Sequence, residues 1–319
     1  MTRIRKDPHI ERSLALMNGC LIGAEEFLID EFEAPEHPIV FVIGAQRSGT
    51  TVLTQALATL YRISYPSNLI ARFWRAPYLG ALVSRSLQLG EQNMTFRSDF
   101  GGTGGLSGPH EFSYFWRQWF PDSAQNAQPW DMSAAQAALL TKELAAWQAA
   151  ADEPLLFKNL LEVVPNIQSL AALFPTAVFL NVSRDDLFVI QSTYESRMNY
   201  AGDHAEWFGV KPTNFREVIK TADPLLQVVE QVHYVKQDIA ESLAALAKNR
   251  YLNLRYENLI ADPGGTIGAI DAKSGLTRWR RNDRALDALD LHPGNVIRLS
   301  DEQVEAIRTH QKSLRRKNV

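Results

Sequence analysis

The stretch Ile39-Val40-Phe41-Val42-Ile43-Gly44-Ala45-Gln46-Arg47-Ser48-Gly49-Thr50-Thr51 decides how the rest of the chain is read. Its first half is apolar, rich in β-branched residues and bounded by Pro38 and Gly44. That composition predicts a strand buried on both faces, as in a parallel sheet. From Thr50 onward the apolar residues Val52, Leu53, Leu57 and Leu60 recur at helical spacing. A glycine-bounded turn thus joins a buried strand to a helix N-terminus. Amide groups in such a turn point inward and the helix end adds partial positive charge, so the turn suits an anion.

The spacing of Gly44 and Gly49 is that of the triphosphate-binding loop G-x-x-x-x-G-K-[ST]. Thr50 follows Gly49, where an NTPase requires Lys to reach the β and γ phosphates. ATP and GTP are therefore poor fits. Arg47 supplies a cation from inside the loop instead, and Thr50 and Thr51 offer hydroxyl donors. This set suits a shorter anion, a 5′-phosphosulfate, bound without Mg²⁺.

Further strands are expected at 155–158, 177–182 and 251–255, with helices at 10–33, 133–150, 163–174, 185–199 and 223–248. Strands alternating with helices predict a three-layer α/β/α fold around a central parallel sheet, P-loop-like in its first turn. Residues 1–36 read as an N-terminal helical extension and 37–319 as the main domain. Within that domain, residues 66–130 form an aromatic-rich helical insertion, with a glycine cluster at Gly101, Gly102, Gly104 and Gly105. The insertion is expected over the C-terminal edge of the sheet, where such folds bind ligands. Its rings Trp74, Tyr78, Phe96, Phe100, Tyr114 and Trp116 read either as acceptor-pocket lining or as plain core.

Lys plus Arg total 33 against 36 Asp plus Glu, a net charge of -3. Such a balance gives no global attraction to nucleic acid or to an anionic membrane, so an anion site has to be local. The one cysteine, Cys20, excludes an intramolecular disulfide and speaks against a Cys-rich metal site. No apolar run reaches the roughly 20 residues of a spanning helix, and none of signal-peptide length follows the basic N-terminus. A cytoplasmic protein is the expectation.

The third expected strand runs into Ser183-Arg184-Asp185-Asp186, and Ser192 follows Arg184 by eight residues. That is about two helical turns, a spacing that can bracket one phosphate. Alone, Arg184 reads equally well as a solvated or salt-bridged residue at a strand end. Taken with the first loop, it resembles the sulfotransferase family that uses 3′-phosphoadenosine 5′-phosphosulfate (PAPS), over residues 38–265. The resemblance implies that Arg47, Ser48, Gly49, Thr50 and Thr51 hold the 5′-phosphosulfate, and that Arg184 and Ser192 hold the 3′-phosphate. In Arg255-Tyr256-Glu257-Asn258-Leu259 it places Tyr256 near the adenine, with Asn258 where the family has Asp. Lys158 matches a residue expected near the transferred sulfuryl group, while Leu160 stands where the family carries His. The family's C-terminal Arg-Lys-Gly loop has its nearest counterpart in Gly294-Asn295-Val296-Ile297-Arg298. By the same resemblance the cofactor is PAPS, the product PAP, and no metal takes part. The acceptor would be a small molecule or a glycan, with neither nucleic acid nor membrane as a partner and an oligomer left open.

Sulfuryl transfer to a hydroxyl or amine requires a proton removed, the sulfuryl charge stabilised and the leaving phosphate neutralised. Arg47 and Lys158 suit the last two tasks. The first needs His or Glu. Some family members use a Glu shortly after the first loop's helix, but Asn68 lies in that region here. His110 and Glu111, next to one another before an aromatic helix, are the remaining candidates for the base. Neighbours on a helix diverge by about 100°, so one of the two is expected to face the site. Two competing readings are a P-loop small-molecule kinase and a PAP-binding homologue that has lost catalysis.

Overall fold

The apolar run after Pro38 forms strand β1 (Ile39–Gly44), and every one of its residues is buried. The computed structural model describes residues 7–88, 96, 98–99, 102–121, 128–281, 286 and 289–317. Phe100 and Gly101, singled out above, lie outside them. The main helices are α1 (Pro8–Ile29), α2 (Thr50–Leu60), α3 (Pro77–Ser86), α4 (Ser113–Trp119), α5 (Ala134–Ala151), α6 (Ile167–Leu173), α7 (Asp186–Ala201), α8 (Pro224–Ala244), α9 (Tyr256–Ala261), α10 (Pro263–Ser274) and α11 (Asp301–Lys317). Between them run β2 (Leu155–Lys158), β3 (Val178–Ser183) and β4 (Tyr251–Arg255).

The four strands form one parallel sheet in the order β2-β1-β3-β4. Strand β1 has a neighbour on each side reached by separate crossovers, so the sheet switches direction between β1 and β3. That is where open α/β sheets bind ligands. The register pairs Gly44 of β1 with Val182 of β3, so the loop after β1 and Arg184 after β3 leave the sheet at the same level.

Both faces of the sheet are covered, as the unbroken apolar strands require. On one face Phe41 stacks on Phe157 and Phe179 at 5.6 and 5.2 Å, with Trp116 and Trp147 packed around them. On the other, Val40, Val42, Leu156 and Leu180 meet Leu53 and Leu57 of α2 and Ile267 and Ile270 of α10. Each such side chain contributes about 1.5–3 kcal/mol on burial.

Three differences from the sequence expectation have physical causes. The predicted helix at 163–174 divides into a 3₁₀ turn, Val164–Asn166, and α6, because Pro165 lacks the N–H that would continue a regular ladder. Helix α11 was not anticipated; it buries Val304, Ile307 and Leu314 and packs along α8. The insertion's rings are largely structural. Trp116 is fully buried in the core, Trp74 packs on Tyr114 at 4.9 Å, and Tyr78 on Phe32 at 5.8 Å. Among the described residues no helix is long and apolar enough to cross a membrane.

Candidate active site

Backbone conformation builds the first anchor. Gly44, Arg47 and Gly49 all take positive φ, at 153°, 65° and 99°, and curl the chain between β1 and α2. Ser48 Oγ donates to Ala45 O at 2.7 Å and closes the loop from within. Helix α2 starts at Thr50 with no side-chain cap, so its first-turn N–H groups face the cleft end of the loop as donors for an anion. Gly49 also lies under the Tyr256 ring, where a β-carbon would fall 2.5 Å from Tyr256 Cδ2.

The second anchor is tied to the first. Arg47 Nε donates to Ser192 Oγ at 2.8 Å, and Arg184 Nη1 donates to the Arg47 carbonyl at 3.2 Å. Arg184 also donates to Asn295 Oδ1 and Gly294 O, both at 2.7 Å, and its guanidinium lies 4.8 Å from the Tyr256 ring centroid. All three of these hydrogen bonds end on neutral oxygens. Burial pulls the Arg184 pKa below the usual arginine value, opposed by Tyr256 and Glu257 nearby. Tyr256 Oη bridges to His292 O and Gly294 N, while Glu257 accepts from Asp185 N and Asn295 Nδ2. The segment around residue 294 therefore reaches the second anchor through Gly294 and Asn295. Arg298 does not; it forks onto Glu195 at 2.7 and 2.5 Å.

Lys158, at the end of β2, is 4% exposed and pairs with Glu111 Oε1 at 2.6 Å. Asn159 fixes this corner. Its Nδ2 donates to Glu111 O and Glu162 Oε2, and its Oδ1 accepts from the Glu162 and Val163 amides. The two candidate bases separate. Glu111 lines the cleft; His110 is exposed, is not part of that lining, and accepts from Phe112 N at 2.9 Å through Nδ1. Phe112 takes φ 56°, so the chain turns immediately after the pair. Asn68 is structural, with Nδ2 donating to Thr103 O and Gly105 O of the glycine loop at 2.7 Å each.

These groups open into one cleft of about 540 Å³. Its other wall is apolar: Leu160, Leu161, Tyr200, Trp207, Phe208 and Val210. None of Trp74, Tyr78, Phe96, Tyr114 or Trp116 lines it, so the aromatic wall comes from the segment after α7 rather than from the insertion. Buried Arg197 supports that segment, donating to His204 O, Gln227 Oε1 and Gln231 Oε1, with Trp207 5.0 Å away. Burial lowers its pKa to about 10. Gln231 in turn donates to Phe208 O and Val210 O. Among the described residues no group of His, Cys, Asp and Glu is arranged to hold a metal ion.

The loops after β1 and β3 and Lys158, the last residue of edge strand β2, thus converge on one cleft at the C-terminal edge of a parallel α/β sheet. The family model described as "Sulfotransferase family" matches residues 38–281, and the chain belongs to that family. Among curated proteins it is 23% identical over 291 residues to omega-hydroxy-beta-dihydromenaquinone-9 sulfotransferase Stf3 of Mycobacterium tuberculosis, covering 82% of this chain and 70% of that protein. The same protein of Mycobacterium bovis matches equally. Among solved structures, sulfotransferase STF9 of Mycobacterium avium superposes with a TM-score of 0.59 at 15% identity, over 97% of this chain and 85% of the other. Sulfotransferase STF1 of Mycobacterium tuberculosis gives 0.56 at 16%, over 93% and 81%. At these identities the structural likeness speaks for the fold.

Proposed function

We propose that this chain transfers a sulfuryl group from PAPS to the hydroxyl of an acceptor with an apolar body. The observation that carries the reading is the linkage of two anion anchors across one strand pair, through Arg47 to Ser192 and Arg184 to the Arg47 carbonyl. A donor with a phosphosulfate at one end and a 3′-phosphate at the other fits that pair. The residues present suit it: uncapped amides at the start of α2, a guanidinium whose hydrogen bonds end on neutral oxygens, and the Tyr256 ring beside both.

In this reading Arg47, Ser48, Gly49, Thr50 and Thr51 hold the 5′ end, Arg184 and Ser192 the 3′-phosphate, and Tyr256 the adenine side. Glu111 takes the proton of the acceptor hydroxyl as its oxygen bonds to sulfur and the bond from sulfur to the 5′-phosphate oxygen breaks. Lys158 stabilises charge on the sulfuryl oxygens and the leaving phosphate. The products are a sulfate ester and PAP. The apolar wall supports an acceptor with a hydrocarbon or ring body, and the curated relative's name specifies a hydroxyl-bearing acceptor for that protein.

Calorimetry with PAP, PAPS and ATP–Mg²⁺ tests the donor. PAP and PAPS should bind, and ATP binding as tight as PAP would replace this reading with a kinase. Mass detection of one added SO₃ on hydroxyl compounds tests the transfer.

A further inference from the structure

Gln46 sits inside the first loop, immediately before Arg47, and is 4% exposed. Neither its Nε2 nor its Oε1 has a hydrogen-bond partner among the described residues, although both are buried. Gln46 is among the residues that line the cleft, as are Glu111 and Lys158. The position is constrained from the far side as well. Gly209, at φ 88°, lies against the stem so closely that a β-carbon there would fall 2.8 Å from Gln46 Cγ. The amide is therefore held between the anion loop and the apolar wall formed by Trp207, Phe208 and Val210.

A buried amide left unpaired costs stability, and a fold retains one where a ligand completes it. Around this amide the charged groups are already committed. Lys158 pairs with Glu111, Arg47 with Ser192, and Arg117 with Glu162. The group that completes Gln46 is therefore assigned to the ligand. A primary amide both donates and accepts, and so does a hydroxyl, whereas a hydrocarbon does neither.

We infer that Gln46 is the polar anchor of the acceptor site, holding a neutral hydroxyl while Leu160, Leu161, Trp207 and Phe208 take the apolar body. This rests on the sulfuryl-transfer reading and narrows it to neutral, apolar-bodied alcohols and phenols. Gln46 is a specificity-determining residue distinct from the donor anchors.

The test uses the full chain loaded with PAP, titrated with 4-butylphenol and with butylbenzene, followed by tryptophan fluorescence because Trp207 lines the wall. Wild type should bind the phenol roughly 3- to 10-fold more tightly than the hydrocarbon, the size of one net hydrogen bond. In Gln46→Leu and Gln46→Met that preference should vanish while PAP affinity stays within about 2-fold, within the scatter expected for an uninvolved site. The melting temperature of ligand-free Gln46→Leu should equal or exceed that of wild type, since an unpaired amide is removed; a structural glutamine would give a fall. The inference is overturned if the preference survives in both variants, if wild type has none, or if PAP weakens in parallel and moves Gln46 to the donor site. Failure of the wild-type chain to bind PAP is visible before any probe is added, and overturns the proposed function itself.

Discussion

Tyr256 presses its ring on Gly49, leaving 2.5 Å where a β-carbon would stand at position 49. The contact joins the start of α9 to the first loop, so Tyr256 and the loop share one wall of the cleft. Gly49→Ala has to escape both this contact and a φ of 99° that L side chains rarely adopt. The backbone term alone is about 1–2 kcal/mol, and PAP affinity should fall by about 10-fold or more. Calorimetry on the folded variant checks this; unchanged PAP binding would separate the loop conformation from the donor site.

On the proposed function, Arg184→Ala removes a charge-assisted contact to the 3′-phosphate, roughly 1.5–3 kcal/mol. PAP should weaken about 10- to 100-fold, and adenosine 5′-phosphosulfate, which lacks that phosphate, should change little. Equal losses for the two ligands would make Arg184 a support for Gly294 and Asn295 instead.

Glu111→Gln keeps the shape of the corner and removes the proposed base. It should bind PAP normally and lose roughly 10²–10⁴ in turnover, the usual contribution of general base catalysis. Phenols of low pKa should restore the rate for this variant and not for Lys158→Ala, whose defect is one of charge stabilisation. His110→Ala should lose far less than Glu111→Gln, because its ring supports the Phe112 turn outside the cleft. A larger loss for His110→Ala than for Glu111→Gln would reverse the assignment.

Glu25, buried in α1, accepts from the amides of Tyr78 and Leu79 at the start of α3. Burial pushes its pKa up to about 7, against the pull of those two amides. Nearby Glu143 is also pushed up by burial, and by Glu25 and Glu26. The folded chain thus holds the Glu25 proton more tightly than the unfolded chain. That contribution is complete below the ordinary carboxylate range and is lost as pH rises to about 7. It amounts to about 3 kcal/mol at 1.36 kcal/mol per pKa unit. Urea unfolding at pH 5.5 and 8 should show wild type losing stability with pH and Glu25→Gln losing clearly less. A parallel loss in both would place the effect elsewhere.

The sheet was legible from β1, which is buried on both faces and reads as a β-branched run between Pro38 and Gly44, although β4 is only partly buried. The anion loop was legible because Gly44 and Gly49 are needed for positive φ at a fixed spacing. The acceptor wall was not. Trp207 and Phe208 lie in a stretch without period, held by Arg197 and Gln231, whose partners are distant in sequence. Trp74 and Trp116 stayed undecided in the sequence because an aromatic cluster has the same composition whether it lines a pocket or fills a core. Helix α11 was readable in principle, since Val304, Ile307 and Leu314 lie near one face, but its low apolar content hides that stripe. Lys158 and Glu111 were each found, but their pairing joins segments far apart in sequence, which no local pattern announces.

The pairing of Gly44 with Val182 turns the sheet into a gauge. The distance between the two anion anchors is set by the interval between adjacent strands and by their register, with the side chains only finishing the fit. A slip of one residue between β1 and β3 would displace one anchor by about 3.3 Å along the strands, more than a hydrogen bond tolerates. On the proposed function, selection of a donor by the separation of its two charged ends is thus written in backbone pairing. Changing that span would require a different sheet, whereas the apolar wall at 207–210 lies outside the strands and is free to vary without it.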